Sequence, residues 1–167
     1  MKLTLAVLVM LGFNTLVSAQ QTQSTITVEI DDLACSTLAG GHTFPAQTWS
    51  FNASNSPAPN TGAATGRAQI SALTINKAFD ECSAGLFAAV TTGKPLGKVI
   101  LTQSDASGRH EMTVQLGDVV VSNYQLGGGP SSTEPVESIS LRFIQITIAN
   151  PQNNSQAGFD SKANKPI

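Results

Sequence analysis

The sequence predicts a mostly β fold, in which seven or eight short antiparallel strands form a closed barrel or two packed sheets, with one short α-helix. Apolar and polar residues alternate with a period of two in several short runs, as in strands that have one buried face. Glycine, proline and asparagine separate these runs. Only one stretch has helical spacing. Many short strands with so little helix are typical of barrels and sandwiches.

The first strand candidate shows the alternation most clearly. Ile26, Val28 and Ile30 alternate with polar residues, which predicts a half-buried strand. The acidic pair Asp31 and Asp32 follows and ends it. Paired acids can bind a cation, but at the end of a strand we expect them to face solvent.

The next two strand candidates, 43–51 and 68–75, flank a segment without large apolar side chains. That segment, 52–66, contains three Asn, two Pro and two Gly residues. We expect a long exposed loop inside one domain, because the strands after it cannot form a core without those before it.

One helix is predicted at 83–91. Leu86, Phe87 and Val90 lie on one face at helical spacing. Gly93 stands where a glycine in the left-handed conformation often ends a helix.

Further strand candidates complete the fold, at 98–103, 111–116, 118–125 and 136–149. The apolar positions change parity within the last of them. The residues on one parity are Ile139, Leu141 and Phe143, and those on the other are Ile144, Ile146 and Ile148. Such a change predicts a β-bulge or a passage from one sheet to another.

The N-terminal residues 1–19 are predicted to be a signal peptide. Lys2 gives a basic start, 3–11 form an apolar run, and the Val-Ser-Ala triplet at 17–19 has the small-residue spacing of a cleavage site. The apolar run is shorter than the ~20 residues that a membrane span needs. We therefore expect cleavage after Ala19 and export.

Residues 20–167 are predicted to form a single domain. Its last part, 151–167, is polar and is expected to be a loosely ordered tail. Charged residues make up 12% of the chain and the net charge is −2. Such a weak charge gives no basis for binding nucleic acid or anionic membranes. The many small polar residues favour a periplasmic or extracellular protein.

Cys35 and Cys82 are the only cysteines. An even number in an oxidising compartment permits a disulfide, which would stabilise the fold by ~3–4 kcal/mol in the loop-entropy model. Two buried free thiols are the alternative. The spacing does not match a Cys-x-x-Cys zinc or redox site.

No residue is predicted to be catalytic, to bind a cofactor or to ligate a metal. His42 and His110, the only histidines, have no partners at metal-ligand or triad spacing. The glycines at 127–129 lead into Pro130 and another strand, whereas phosphate loops lead into a helix. We therefore predict a protein that is not an enzyme and has no cofactor.

Several short segments follow one another in a recognisable order along the chain. They are ITVEIDDL at 26–33, WSF at 49–51, KAFDECSAGLF at 77–87, TGK at 92–94, DVVVSNY at 118–124 and ESISL at 137–141. Together they resemble the Hcp family, the tube proteins of bacterial type VI secretion systems, over nearly the whole mature chain. The resemblance implies a bacterial source.

The resemblance implies an Hcp-like β-barrel of two packed antiparallel sheets. It also implies self-association into a homo-hexameric ring, stacking of rings into a tube, and secreted effector cargo or other type VI components as partners. The signal peptide departs from the family pattern, because tube proteins are loaded from the cytoplasm. Our main hypothesis is therefore an exported, non-enzymatic structural or carrier protein.

Two alternatives stay open. One is a secreted monomeric β-sandwich that binds a ligand such as a glycan, with Trp49, Phe44 and Tyr124 as a candidate aromatic platform, although core packing is the more common use of such side chains. The other is a cytoplasmic tube subunit whose residues 1–19 are not a working signal.

Overall fold

Two antiparallel sheets contain most of the regular structure. The computed structural model describes residues 23–33, 35, 42–55, 67–130 and 134–167. The predicted signal peptide 1–19, with Ala19, lies outside them, as does most of the predicted loop 52–66. The elements are β1 Thr25–Ile30, β2 Thr43–Ala46, β3 Thr48–Ser50, β4 Ala53–Ser54, β5 Gln69–Ile70, β6 Leu73–Ala78, α1 Ser83–Thr92, β7 Pro95–Leu96, β8 Val99–Ser104, β9 His110–Gly117, β10 Val119–Gly127, β11 Val136–Arg142, β12 Gln145–Asn150, β13 Ser155–Asp160 and β14 Lys165–Pro166.

The larger sheet has seven strands in the order β14-β13-β12-β9-β8-β1-β2, and the smaller has five in the order β3-β6-β11-β10-β7. The short strands β4 and β5 pair separately. The prediction of a mostly β fold with two packed antiparallel sheets and one short helix is confirmed. Over the described residues neither sheet closes into a barrel, because each ends in two edge strands.

Apolar rows across the seven-stranded sheet face the core. In one row, the register places Phe44, Val28, Leu101 and Val114 side by side on neighbouring strands, and all four are buried. The row continues to Ile148 on β12. Residues paired across neighbouring strands share a face, so the alternation seen in each strand produces one continuous apolar surface.

The five-stranded sheet faces this surface with its own rows. Leu73 pairs with Leu141, and Ile75 pairs with Ile139; all four are 0% exposed. The other face of this sheet is polar, so these strands alternate as predicted for strands with one buried face.

The predicted change of parity in 136–149 marks a passage between the sheets. The segment divides into β11, in the five-stranded sheet, and β12, in the seven-stranded sheet. Ile144 lies in the short connection, where its N–H donates to Gly117 O. The register irregularity within the five-stranded sheet lies elsewhere, between Val121 and Asn123 of β10.

The strand candidate 43–51 also divides between the sheets. Its first part is β2, an edge strand in which Pro45 has no N–H to donate. At Gln47 the backbone turns, and its N–H donates to Asn76 O at 2.8 Å, which leads into β3 beside β6.

The predicted helix at 83–91 is found as α1, followed by Gly93 at φ 65°. The face that carries Leu86, Phe87 and Val90 is only partly buried. Leu86 and Ala89 are the buried apolar residues, whereas Phe87 is 54% exposed. The helix packs on β10 through a narrow stripe that contains Leu86 and Ala89, so Phe87 lies beside the contact rather than inside it.

The expectation that 151–167 is a loosely ordered tail is wrong. It forms β13 and β14, which extend the seven-stranded sheet. The first half of β13 is exposed, as suits its polar sequence, whereas Phe159 packs against the core. Asn153 Oδ1 accepts from the N–H of Ser155, and Asn154 adopts φ 54°, so this turn closes a hairpin with β12.

Candidate assembly surfaces

A buried ion pair lies where the five-stranded sheet meets the start of α1. Lys77 and Glu137 pair across β6 and β11, and both are 0% exposed. Lys77 Nζ is 2.8 Å from Glu137 Oε2 and 2.7 Å from Asp80 Oδ1. It also donates to Ser83 Oγ at 3.3 Å. Two carboxylates and a hydroxyl therefore offset the cost of burying the ammonium group.

Tyr124 completes this cluster from β10. Its hydroxyl donates to Glu137 Oε1, so both oxygens of that carboxylate have partners. Burial raises the pKa of Tyr124, and the hydrogen bond to Glu137 raises it further. Lys77 Nζ also lies 5.2 Å from the ring centroid of Phe44, which links the cluster to the seven-stranded sheet.

An aromatic groove of about 470 Å³ lies directly outside this cluster. Its lining is Phe79, Ser83, Ala84, Phe87, Tyr124 and Leu126. The rings of Phe87 and Tyr124 meet edge to face at 5.7 Å. Phe79 is 52% exposed, and Leu126 is 51% exposed. A group of large apolar side chains that is this exposed is typical of an interaction surface.

A second apolar surface lies at the other sheet, where β12 and β13 extend past the core. Ile148 continues the buried row of Leu101 and Val114, yet it is 39% exposed. Its partner Ala157 on β13 is exposed. A groove of about 410 Å³ runs here beside Met112. We call this surface the overhang, defined by Met112, Ile148 and Ala157.

Cys35 and Cys82 form a disulfide in the structure, with the sulfur atoms 1.97 Å apart. Cys35 follows β1 of the seven-stranded sheet, and Cys82 immediately precedes α1. The bond thus connects the larger sheet to the helix that covers the end of the smaller one.

Neither histidine lines the aromatic groove or the groove beside the overhang. His42 Nδ1 donates to Leu33 O at 2.7 Å, and His110 is an exposed residue at the start of β9. Asp31 and Asp32 are exposed after β1, as expected. Over the described ranges, no three His, Cys, Asp or Glu side chains are grouped so that they could hold a metal ion.

The aromatic residues considered as a sugar platform do not come together. Phe44 is 2% exposed, and Trp49 is half-buried with Nε1 donating to Gln103 Oε1 at 3.2 Å. Tyr124 is separated from Trp49 by the two strands β6 and β11. Core packing accounts for Phe44 and for most of Trp49.

Sequence reasoning missed the ion pair and the aromatic groove, although the sequence carries a signal for the first. Lys77 shares its parity with Leu73 and Ile75, and Glu137 shares its parity with Ile139 and Leu141. Opposite charges on buried parities of two strands indicate a pair. No comparable signal indicates the groove, because it depends on how α1 lies on β10.

Comparison with known proteins gives a consistent result. A family model described as "Type VI secretion system effector, Hcp" matches residues 41–149. No curated protein matches significantly.

Solved structures share the fold at low sequence identity. Hcp1 from Salmonella typhimurium superposes with a TM-score of 0.73 at 20% identity, covering 87% of this chain and 99% of that one. Hcp2 from the same organism has a TM-score of 0.65 at 22% identity, with 84% and 98% covered. A type VI secretion system effector from Yersinia pestis has a TM-score of 0.64 at 18% identity, with 81% and 98% covered.

The described residues include no helix with the length and apolar character needed to cross a bilayer.

Proposed function

Because the chain belongs to the Hcp family of type VI secretion system effectors, we propose that it is a non-enzymatic structural or carrier subunit. It assembles into hexameric rings that can stack into a tube and hold secreted effector cargo. The observation that carries this proposal is the presence of two different uncovered apolar surfaces on one subunit, the aromatic groove and the overhang.

A closed ring requires two such surfaces. Each subunit in a ring contacts its two neighbours through different patches, because a patch that pairs with itself gives only a dimer. Ile148 and Ala157 lie on the larger sheet, whereas Phe79 and Phe87 lie beside the smaller one. The edge strands β3, β7 and β14 add unpaired backbone groups that a neighbour can bind.

We also propose that the protein is exported. The predicted signal peptide 1–19, with cleavage after Ala19, would deliver it to the periplasm or beyond. The disulfide between Cys35 and Cys82 agrees with an oxidising compartment.

Light scattering of the purified protein across a concentration series tests the ring. We expect a mass of six chains that persists on dilution. A stable monomer at high concentration would contradict the ring and would favour the alternative, a secreted ligand-binding β-sandwich. Overhang variant Ile148→Asp should give monomers, whereas Thr102→Asp, on β8 well inside the same sheet, controls for a general effect of added charge.

The same sample tests export. The intact mass should correspond to a chain that begins at Gln20, and it should increase by two hydrogens after reduction. A chain that begins at Met1 would instead support the cytoplasmic alternative.

A further inference from the structure

The two ends of β11 differ in charge. The strand begins at Val136, beside Gly127 and Ala78 and next to the aromatic groove. It ends at Arg142, six residues and therefore ~20 Å away. The residues around Val136 and those around Arg142 therefore lie at opposite ends of the subunit.

Acidic residues border the aromatic groove. Asp80 and Glu81 lie in the chain between the lining residues Phe79 and Ser83. Glu134 is exposed and precedes Pro135, whose carbonyl accepts from the N–H of Phe79. Lys77 is the basic residue of this region, and Glu137 and Asp80 already engage it. The groove is therefore an apolar surface with an acidic border.

Basic residues collect at the opposite end, around the turn after β13. Arg67 Nη2 donates to the carbonyls of Ser161 and Lys162. Arg142 lines the same hollow as Ser161, and Lys165 begins β14 just after the turn. We call this surface the basic turn, defined by Arg67, Arg142, Lys162 and Lys165.

The carboxylates near the basic turn do not cancel its charge. Asp160 is committed to the turn, where Oδ1 accepts from Ala163 N–H at 2.7 Å and Oδ2 accepts from Gln145 Nε2 at 3.2 Å. These contacts, led by the backbone hydrogen bond, lower the pKa of Asp160. Asp118 and Asp32 line a neighbouring hollow together with Lys98 and Lys162. With Lys98 included, five basic side chains stand against these three aspartates, so the surface keeps an excess of positive charge.

We propose that the aromatic groove of one copy binds the basic turn of a second copy, so that subunits associate head to tail. The apolar groove gives the contact its area, and lysine stems can cover Phe79 and Phe87 while their ammonium groups reach Glu81 and Glu134. Electrostatic complementarity sets the orientation, because groove against groove would place acid against acid. This inference rests on the proposed assembly and names the surfaces of one of its contacts.

Charge-reversal variants, first alone and then mixed, test the contact. Glu81→Lys/Glu134→Lys alters only the groove side, and Lys162→Glu/Lys165→Glu alters only the turn side; all four positions are exposed. Each variant should associate at least about tenfold more weakly than the wild type in sedimentation velocity. Glu29→Lys, exposed on β1 and outside both surfaces, is a charge reversal that should leave the association unchanged.

Mixing the two variants gives the decisive result. Each retains the surface that the other has lost, and the two reversed surfaces also have opposite charges, so an equimolar mixture should form a paired complex in which the two variants alternate. For the wild type, raising NaCl from about 50 mM to about 500 mM should weaken this contact. Variants that associate as the wild type does, or a mixture that recovers no complex, would overturn the inference.

The wild-type mass separates this inference from the proposed function. If the wild type is a hexamer and the variants associate as strongly as it does, only the head-to-tail contact is contradicted. If the wild type forms no hexamer but the mixture forms the paired complex, the proposed ring is contradicted and the head-to-tail contact is supported.

Discussion

Row by row, the seven-stranded sheet presents apolar side chains to the core, whereas the five-stranded sheet ends its apolar rows with an ion pair. Leu101 and Val114 are 0% exposed on the first, and Lys77 and Glu137 are 0% exposed on the second. The strands alternate in the same way in both. The difference lies in what covers each row: the apolar rows face another sheet, whereas the ion pair faces the start of α1.

The start of the helix explains why charge is tolerated there. Asp80 and Ser83 supply a carboxylate and a hydroxyl to Lys77, and Tyr124 supplies a hydroxyl to Glu137. Within the described residues, no buried side-chain nitrogen or oxygen lacks a hydrogen-bond partner. Equal burial therefore imposes different requirements: the apolar rows need close packing, whereas the ion pair needs every partner in place.

Breaking the ion pair from one side should have the largest effect. Glu137→Leu leaves a buried ammonium group with Asp80 as its one carboxylate, and we expect the free energy of unfolding to fall by about 3–5 kcal/mol in urea titrations. The double variant Lys77→Met/Glu137→Leu should recover most of this loss, because it buries no charge. If the double variant is less stable than the single, the buried charges stabilise the protein in their own right.

Truncating a side chain in the apolar rows should lower the free energy of unfolding somewhat less than breaking the ion pair does. Leu101→Ala leaves a cavity among fully buried neighbours, and we expect a loss of about 3 kcal/mol in the same titrations. Leu126→Ala, at an exposed position, serves as the control and should change stability little. Here, unlike at the ion pair, a second nearby truncation such as Val114→Ala should add to the loss rather than restore it.

Removing one hydroxyl from the ion cluster should have a smaller effect. Tyr124→Phe loses the hydrogen bond to Glu137, worth about 1–2 kcal/mol for a partly exposed donor to a charged acceptor. The folded-state pKa of Tyr124 is raised above its ordinary value of 10.0. Its contribution is therefore complete below pH 10.0 and declines as pH rises above it, since the unfolded chain ionises first. Stability measured against pH should decline less steeply for Tyr124→Phe; equal slopes would exclude this role.

Neutralising an exposed carboxylate should have the smallest effect on stability. Hydrogen bonds from Ser107, then from the backbone of Arg109, lower the pKa of Asp105 from 3.8 to about 2. Its contribution is present above pH 3.8 and is lost as pH falls toward about 2. Asp105→Asn should therefore differ slightly from the wild type near neutral pH and not at all in strong acid, as followed by thermal melts. A difference that persists in acid would point to the turn geometry instead.

Much of the fold was predictable because alternation identifies which face of a strand is buried. It located β1, helical spacing located α1, and the parity change predicted the passage from β11 to β12. It did not predict the division of 43–51 into strands of different sheets. The cause is a backbone turn at Gln47 that binds Asn76, which lies far away in sequence.

The candidate surfaces were less accessible to prediction. Phe87 has helical spacing with Leu86 and Val90, which favours burial, yet it lines an exposed groove. Ile148 continues a buried row, yet it is 39% exposed. In both cases the sequence identifies an apolar side chain, and exposure depends on where the covering element ends.

The disulfide between Cys35 and Cys82 has a mechanical consequence. The two residues are 47 positions apart in the chain, and the disulfide transmits a pulling force directly from one to the other. If the chain is pulled from both ends, the intervening segment carries no load while the bridge is intact. Its fully extended length, about 160 Å, would be withheld from the stretched molecule until a reductant opened the bridge. The redox state of one bond thus determines how far a single subunit can be drawn out.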